Sequence, residues 1–166
     1  MDRNIILPNL KAIEIVKDVI RNDVPRIVKT EALNSIQDTF TNQGFTNKTL
    51  KKWPKRKVPK RKGKPIKGKA LEKWEAKNKG RAILVGHASD TKGGHLKDGF
   101  TGEATPERVT IHSDKIYGEV HNEGLQAGRP PGFTMPERRM IGPSETTENN
   151  MLDKIERVLH QRLNNL

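Results

Sequence analysis

The amino-acid sequence predicts an α+β fold: a small, mostly antiparallel sheet packed by N-terminal and C-terminal helices, with a long basic loop between the first helix and the sheet. Three observations carry this prediction. Apolar residues recur at helical spacing near both ends of the chain, and short apolar runs broken by Gly, Pro and Asn occupy the middle. Between Lys48 and Lys69 there are 12 Lys or Arg and no acid.

The first helical stripe is Leu10, Ile13, Val16 and Ile20, and a second follows with Ile27 or Val28, Ala32, Leu33, Ile36 and Phe40. Pro25 stands between them. A proline inside a helix removes a hydrogen bond and crowds the preceding turn, so the position predicts a kink, or a fresh helix with Asp23 as N-cap. Gly44 is the natural stop. Residues 46–69 read as an extended, flexible loop, because Pro54, Pro59 and Pro65 prevent regular helix and like charges repel. Helical spacing resumes from Ala70 through Leu71 and Trp74 to a stop at Gly80. Ile83-Leu84-Val85 predicts a short strand, and the glycine-rich residues 86–94 a turn. Residues 96–103 and 108–113 predict a hairpin with Val109, Ile111 and Phe100 facing inward. Residues 117–124 predict a two-turn helix in which Tyr117, Val120 and His121 share a face and Gly124 takes the left-handed closing position. Residues 139–141 suit a last short strand. Residues 146–163 predict the clearest helix, with Met151, Leu152, Ile155, Val158, Leu159 and Leu163 on one face.

At 166 residues the expected organisation is one domain, 1–166, with 46–69 as its inserted loop. Only 32% of residues are apolar and 4% aromatic against 31% charged, so the core is modest and burial in an oligomer would help it. The absence of cysteine removes disulfides, thiolate metal sites and thiol nucleophiles, and fits a reducing intracellular origin. No apolar run of signal-peptide or membrane-spanning length occurs, so neither export by that route nor a membrane partner is expected. The formal net charge is +12, and with 12 bases placed in residues 48–69, the remaining 20 are matched by 20 acids. The whole excess therefore sits in one segment.

Sites for chemistry are few. His87, Asp90 and His95 lie close together in a loop, but their spacing fits no metal motif with a mechanism behind it, and no metal or cofactor is expected. His121-Asn122-Glu123 has the His-x-Glu half of a zinc deaminase pattern without the cysteines that would complete it, and reads instead as a histidine on the inner side of a helix, hydrogen-bonded to backbone. Residues 86–94 lack the Gly-Lys-Ser/Thr of a phosphate loop, and no carboxylate pair or triad order suggests an enzyme. The basic segment is the candidate contact surface. Lys51, Lys52, Lys55, Arg56, Lys57, Lys60, Arg61, Lys62, Lys64 and Lys67 are the expected nucleic-acid contacts, phosphate-directed and without sequence reading, with Trp53 alone able to stack on a base. The same charge also suits an acidic protein surface.

Two short patterns then resemble a known family. Tyr117, Val120, His121 and Gly124 match Tyr-x-x-Val/Ile-His-x-x-Gly, and Pro136, Arg138, Ile141 and Gly142 match Pro-x-Arg-x-x-Ile/Leu-Gly, followed by an amphipathic C-terminal helix. In these residues the chain resembles the phage virion morphogenesis proteins, the tail completion proteins of long-tailed bacteriophages. Arg139, Met140 and Glu123 depart from the residues usual at their positions. Physically the motif residues read as architecture: Gly124 ends a helix, Gly142 permits a turn, Pro136 fixes a returning loop, and Arg138 bridges within the subunit or to the next. The resemblance implies a structural virion protein, not an enzyme, that assembles in the host cytoplasm into a homo-oligomeric ring of six copies, or twelve on the head side. Such a ring would sit at the head–tail junction or tail end beside neck, head-closure, tail-terminator or tail-tube proteins, with packaged DNA as a possible neighbour. The rival expectation is a non-sequence-specific nucleic-acid-binding protein using residues 48–69 as its arm.

Overall fold

The structure is a computed structural model and describes residues 10–85 and 94–166. Helices are combined with two-stranded sheets, which makes the class α+β; in place of one continuous sheet there are four separate strand pairs among the described residues. The chain divides into two compact units, one of residues up to 35, 101–112 and 144–166, the other of residues 36–100 and 113–143.

Among the described residues, the first unit contains α1 (Leu10–Asp18), a π-helical turn (Val19–Asp23) and the first part of α2 (Val24–Asn42). The π turn comes just before Pro25, the second residue of α2. Proline has no N–H and crowds the carbonyl of the preceding turn, and widening the helix by one residue relieves both. The Val24 N–H accordingly bonds to the Val19 carbonyl, five residues back. The helix thus neither restarts at Asp23 nor breaks. The extra residue rotates the apolar stripe, so Val19 is buried and Ile20, expected inside, is exposed.

Helix α5 (Glu145–Asn164) packs against α1. Its N-cap is Ser144, whose hydroxyl accepts the Thr147 N–H at 3.2 Å. Met151, Ile155, Val158 and Leu159 turn inward, whereas Leu152 is exposed. Arg162 joins Asp23 at 2.8 Å and Asp18 at 3.3 Å, and Lys154 reaches the buried carboxylate of Glu31 at 2.5 Å. Strands β5 (Phe100–Ala104) and β6 (Val109–Ser113) form the expected hairpin, alternating between half-buried and exposed with Phe100, Val109 and Ile111 on the inner side.

In the second unit Ile36, Phe40, Phe45, Trp53, Leu96 and Met140 are buried. Phe40 meets the Trp53 ring edge-on at 5.4 Å and Phe100 at 6.3 Å. Helix α2 ends at Asn42, and Gln43, not Gly44, adopts the left-handed turn. Gly44 serves a different purpose. It opens β1 (Gly44–Thr46), which pairs antiparallel with β2 (Leu50–Lys52), and a Cβ at Gly44 would lie 2.5 Å from the Lys51 carbonyl oxygen.

The basic segment is therefore not one open loop. Its first residues belong to β2, and β3 (Lys60–Arg61) pairs with β4 (Lys64–Pro65) as a tight hairpin. Helix α3 (Lys69–Asn78) follows, with Gly80 left-handed just beyond it. The strand expected at Ile83-Leu84-Val85 does not form: residues 83 and 84 make a turn with Leu84 at φ 60°. The Gln43 side chain accepts the Ile83 amide, and Arg56 holds the carbonyls of Arg81 and Ala82 just before it, so these backbone groups bond to side chains and not to a ladder. After a 3-10 turn (Leu96–Asp98) and β5–β6 come α4 (Gly118–Glu123), β7 (Gln126–Ala127) and β8 (Phe133–Thr134).

Replacing Gly44 by alanine forces β1 and β2 apart and is expected to cost about 1–3 kcal/mol. Denaturant unfolding of Gly44→Ala measures it; a change under about 0.5 kcal/mol would contradict the close approach.

Candidate functional site: a basic segment rooted on two motifs

The two sequence patterns form one hydrogen-bonded constellation. Helix α4 begins after Tyr117 and ends at Gly124, left-handed at φ 68°, with the amides of Gly124 and Leu125 both folding back to the Val120 carbonyl. Glycine is needed at 124 twice over, since a Cβ would also stand 2.9 Å from the Glu137 backbone nitrogen. Tyr117 lies edge-on to His121 at 6.2 Å, on the shared face the spacing predicts.

The second pattern runs back along the end of α4. Met135 donates its amide to the Leu125 carbonyl at 3.0 Å, and Arg138 donates to the His121 carbonyl at 2.7 Å. Pro136, which has no amide to donate, lies between them. The amides of Met140 and Ile141 both reach the Asn122 side-chain oxygen, at 2.8 and 3.0 Å, and the Asn122 amide group returns a bond to the Ile141 carbonyl at 3.3 Å. Residues 139–141 are consequently not the strand their sequence suggests: a buried asparagine side chain takes the place of a neighbouring strand. Gly142 lies in the bend that follows.

This constellation holds the root of the basic segment. The Trp53 indole N–H donates to the Arg139 carbonyl at 2.8 Å, and the Arg138 guanidinium donates through Nε and Nη2 to the Pro54 carbonyl at 3.2 and 3.1 Å. Trp53 and Arg138 are each only 6% exposed. Trp53, the one side chain of the segment able to stack on a base, has its ring in the core. Arg138 bridges within the chain. The departures at Arg139 and Met140 are also accounted for: the Arg139 guanidinium lies over the Phe45 ring at 4.9 Å, and Met140 is 1% exposed in the core.

Of the ten cations expected to contact nucleic acid, Lys51, Lys52, Lys55, Lys57, Lys60, Arg61, Lys62, Lys64 and Lys67 are exposed. Lys52 also caps the end of α2, donating to the Asn42 carbonyl at 2.6 Å. Arg56 is the exception, half-buried and committed to the carbonyls of Arg81 and Ala82. Burial and the neighbouring Arg81 charge lower its pKa, and burial with the Arg56 charge lowers that of Arg138. Positive charges are thus pressed together around the root while the other cations spread outward.

His121 is held differently from expectation. Its backbone carbonyl accepts from Arg138, but Nδ1 is buried without a hydrogen-bond partner among the described residues. Burial, then the Arg138 charge, pushes its pKa below the ordinary 6.5. His87 and Asp90 of the considered metal loop lie outside the described residues; the buried His95 Nδ1 also has no partner among the described residues. Asn122 and Trp53 carry this site, yet residue spacing does not reveal either of them in that role. A tryptophan inside an otherwise Lys-rich run is the one available signal.

Asn122→Ala leaves the buried Met140 amide without its acceptor and is expected to cost about 1–3 kcal/mol in denaturant unfolding; an unchanged midpoint would contradict the constellation. For His121 the folded pKa lies below the unfolded one, so the unfolded chain binds more protons and stability falls as pH drops through 6.5 toward the folded pKa. Unfolding measured across that window should show a slope that His121→Gln reduces; an unchanged slope would contradict the burial of a neutral ring.

The phage virion morphogenesis family matches residues 47–160, more than two thirds of the chain. No curated protein and no solved structure matches it. The match takes in the basic segment, α4, the returning motif and most of α5. A chain whose two motifs build one scaffold, and whose matched span contains that scaffold whole, belongs to the phage virion morphogenesis family, structural proteins of the virion.

Proposed function

We propose that this protein is the ring-forming subunit that completes the phage tail, at the head–tail junction or the tail end. The observation that carries the reading is the family match across the scaffold and the basic segment together. A head-to-tail contact repeated around an axis closes a ring, with six copies the expected number and twelve the alternative on the head side. Its neighbours are neck, head-closure, tail-terminator or tail-tube proteins. Among the described residues no helix is long and apolar enough to cross a membrane.

In such a ring the exposed cations rim the channel through which the genome passes. Twelve charges per subunit become about +72 for six copies, enough to attract the DNA backbone without reading its sequence. With Trp53 buried, the contact is to phosphate alone. Electron microscopy of assembled particles tests the placement. A ring of this protein at the junction or tail end, its basic segments toward the bore, is the expected result; its location in the head shell, or basic segments on the outer wall, would overturn it.

The exposure of nine of the ten cations also favours a second reading, a non-sequence-specific nucleic-acid-binding protein. A binder of that kind holds DNA or RNA as an isolated monomer, whereas the ring subunit acts through its assembly.

Replacing Lys60, Arg61, Lys62, Lys64 and Lys67 by glutamine removes charge from the exposed hairpin and its flank. Thermal unfolding should stay unchanged, and the salt dependence of duplex binding should fall by about 0.9 logarithmic units for each phosphate that is no longer neutralised. An unchanged salt slope would place the DNA contact elsewhere.

A further inference from the structure

The second unit has two surface features that extend beyond the scaffold's internal contacts, and together they deepen the ring reading, on which this inference rests. The first is a projection. Ile116, between β6 and α4, is 96% exposed, and Tyr117 beside it is 43% exposed. Isolated exposed apolar residues are ordinary, but here two adjoin, and the carboxylates of Asp114 and Glu119 beside them are exposed as well. Lys115, between Asp114 and Ile116, is turned onto Asp114 at 2.8 Å. The projection is apolar at its tip and acidic at its flanks.

The second feature is an open groove of about 600 Å³ along α3. Its exposed surface is mainly apolar, with Trp74, Ala76 and Ile83 contributing. Four cations, Lys55, Arg56, Lys79 and Arg81, share the lining with two carboxylates, Glu72 and Glu75, which leaves the groove positive. Ile116 and Tyr117 are not among its lining residues.

We propose that Ile116 and Tyr117 of one copy insert into the α3 groove of the next copy. Size, polarity and charge agree: the groove is large enough for a small ligand and so for one aliphatic and one aromatic side chain, and its positive lining faces an acidic-flanked projection. Projection and groove are different surfaces, so when each copy gives its projection to one neighbour and its groove to another the contact is heterologous, and a rotation that closes makes it a ring. A groove with a mainly apolar surface and two carboxylates is a poor phosphate site, so DNA is left to the exposed hairpin. Ile116 makes the larger contribution, since it has the most surface to bury.

The chain contains no cysteine, which permits a direct test with the full-length protein. Ile116→Cys and Ala76→Cys are prepared separately, mixed and oxidised, while the mass of the unsubstituted protein is measured in solution. Disulfide-linked dimers should form in the mixture and not in either variant alone, and the double variant should give a ladder of linked chains. Ile116→Asp should weaken assembly at least about ten-fold with thermal unfolding unchanged. Closed oligomers of the unsubstituted protein without the mixed cross-link would overturn this contact and leave the ring standing. Linking of Ile116→Cys to itself as efficiently as in the mixture, or protection of the Ala76→Cys thiol by duplex DNA, would also overturn it. A strictly monomeric unsubstituted protein would remove the ring and the contact together.

Discussion

The second unit depends on one tie between distant parts of the chain: Arg138 and Arg139 hold the backbone and ring of Trp53-Pro54. Burying a guanidinium is costly unless its donors are satisfied, and hydrogen bonds made by a charged donor are the stronger kind. Two of the Arg138 donors converge on one carbonyl, and its own amide is bonded to α4. The strongly basic segment is thereby fastened at its root, where Trp53 adds an aromatic contact with Phe40.

This tie explains how a segment with 12 Lys or Arg and no acid of its own coexists with an ordered scaffold. Mutual repulsion would drive such a run into extended, solvated conformations. The structure yields to that repulsion at the surface, where the lysines spread into solvent on β2 and on the β3–β4 hairpin, and resists it at the root, where Arg56 and Arg138 take carbonyl partners. Burial first and like charge second both lower their pKa values. A counter-charge brought by a neighbouring molecule would relieve the surface repulsion without disturbing the root.

The helices are legible in the sequence because their signals are periodic and local. Stripes of apolar residues mark α1, α2, α3 and α5, and Gly124 marks the end of α4. Legibility fails where one residue overrides its neighbours. Pro25 inserts a π turn, which moves Val19 inward and Ile20 out, and no spacing rule contains that rotation. The strands expected at 83–85 and 139–141 are absent where side chains, Gln43 at the Ile83 amide in one case and Asn122 in the other, take backbone groups a partner strand would use. The motif residues Tyr117, His121, Gly124 and Arg138 are legible as architecture, but not that the two patterns meet, because that needs a long-range pairing. The solvent-facing neighbours of Trp53 suggest an exposed ring, whereas its partner, the Arg139 carbonyl, lies 86 residues away.

The central claim is that the basic segment is rooted on the motif scaffold and not a free arm, and hydrogen exchange tests it most directly. In the isolated protein the Trp53 indole N–H and the amides of Trp53, Arg138 and Met140 should exchange slowly together, while the exposed Lys60–Pro65 hairpin exchanges fast. Exchange at Trp53 as fast as in the hairpin, with Arg138 and Met140 still protected, would contradict it.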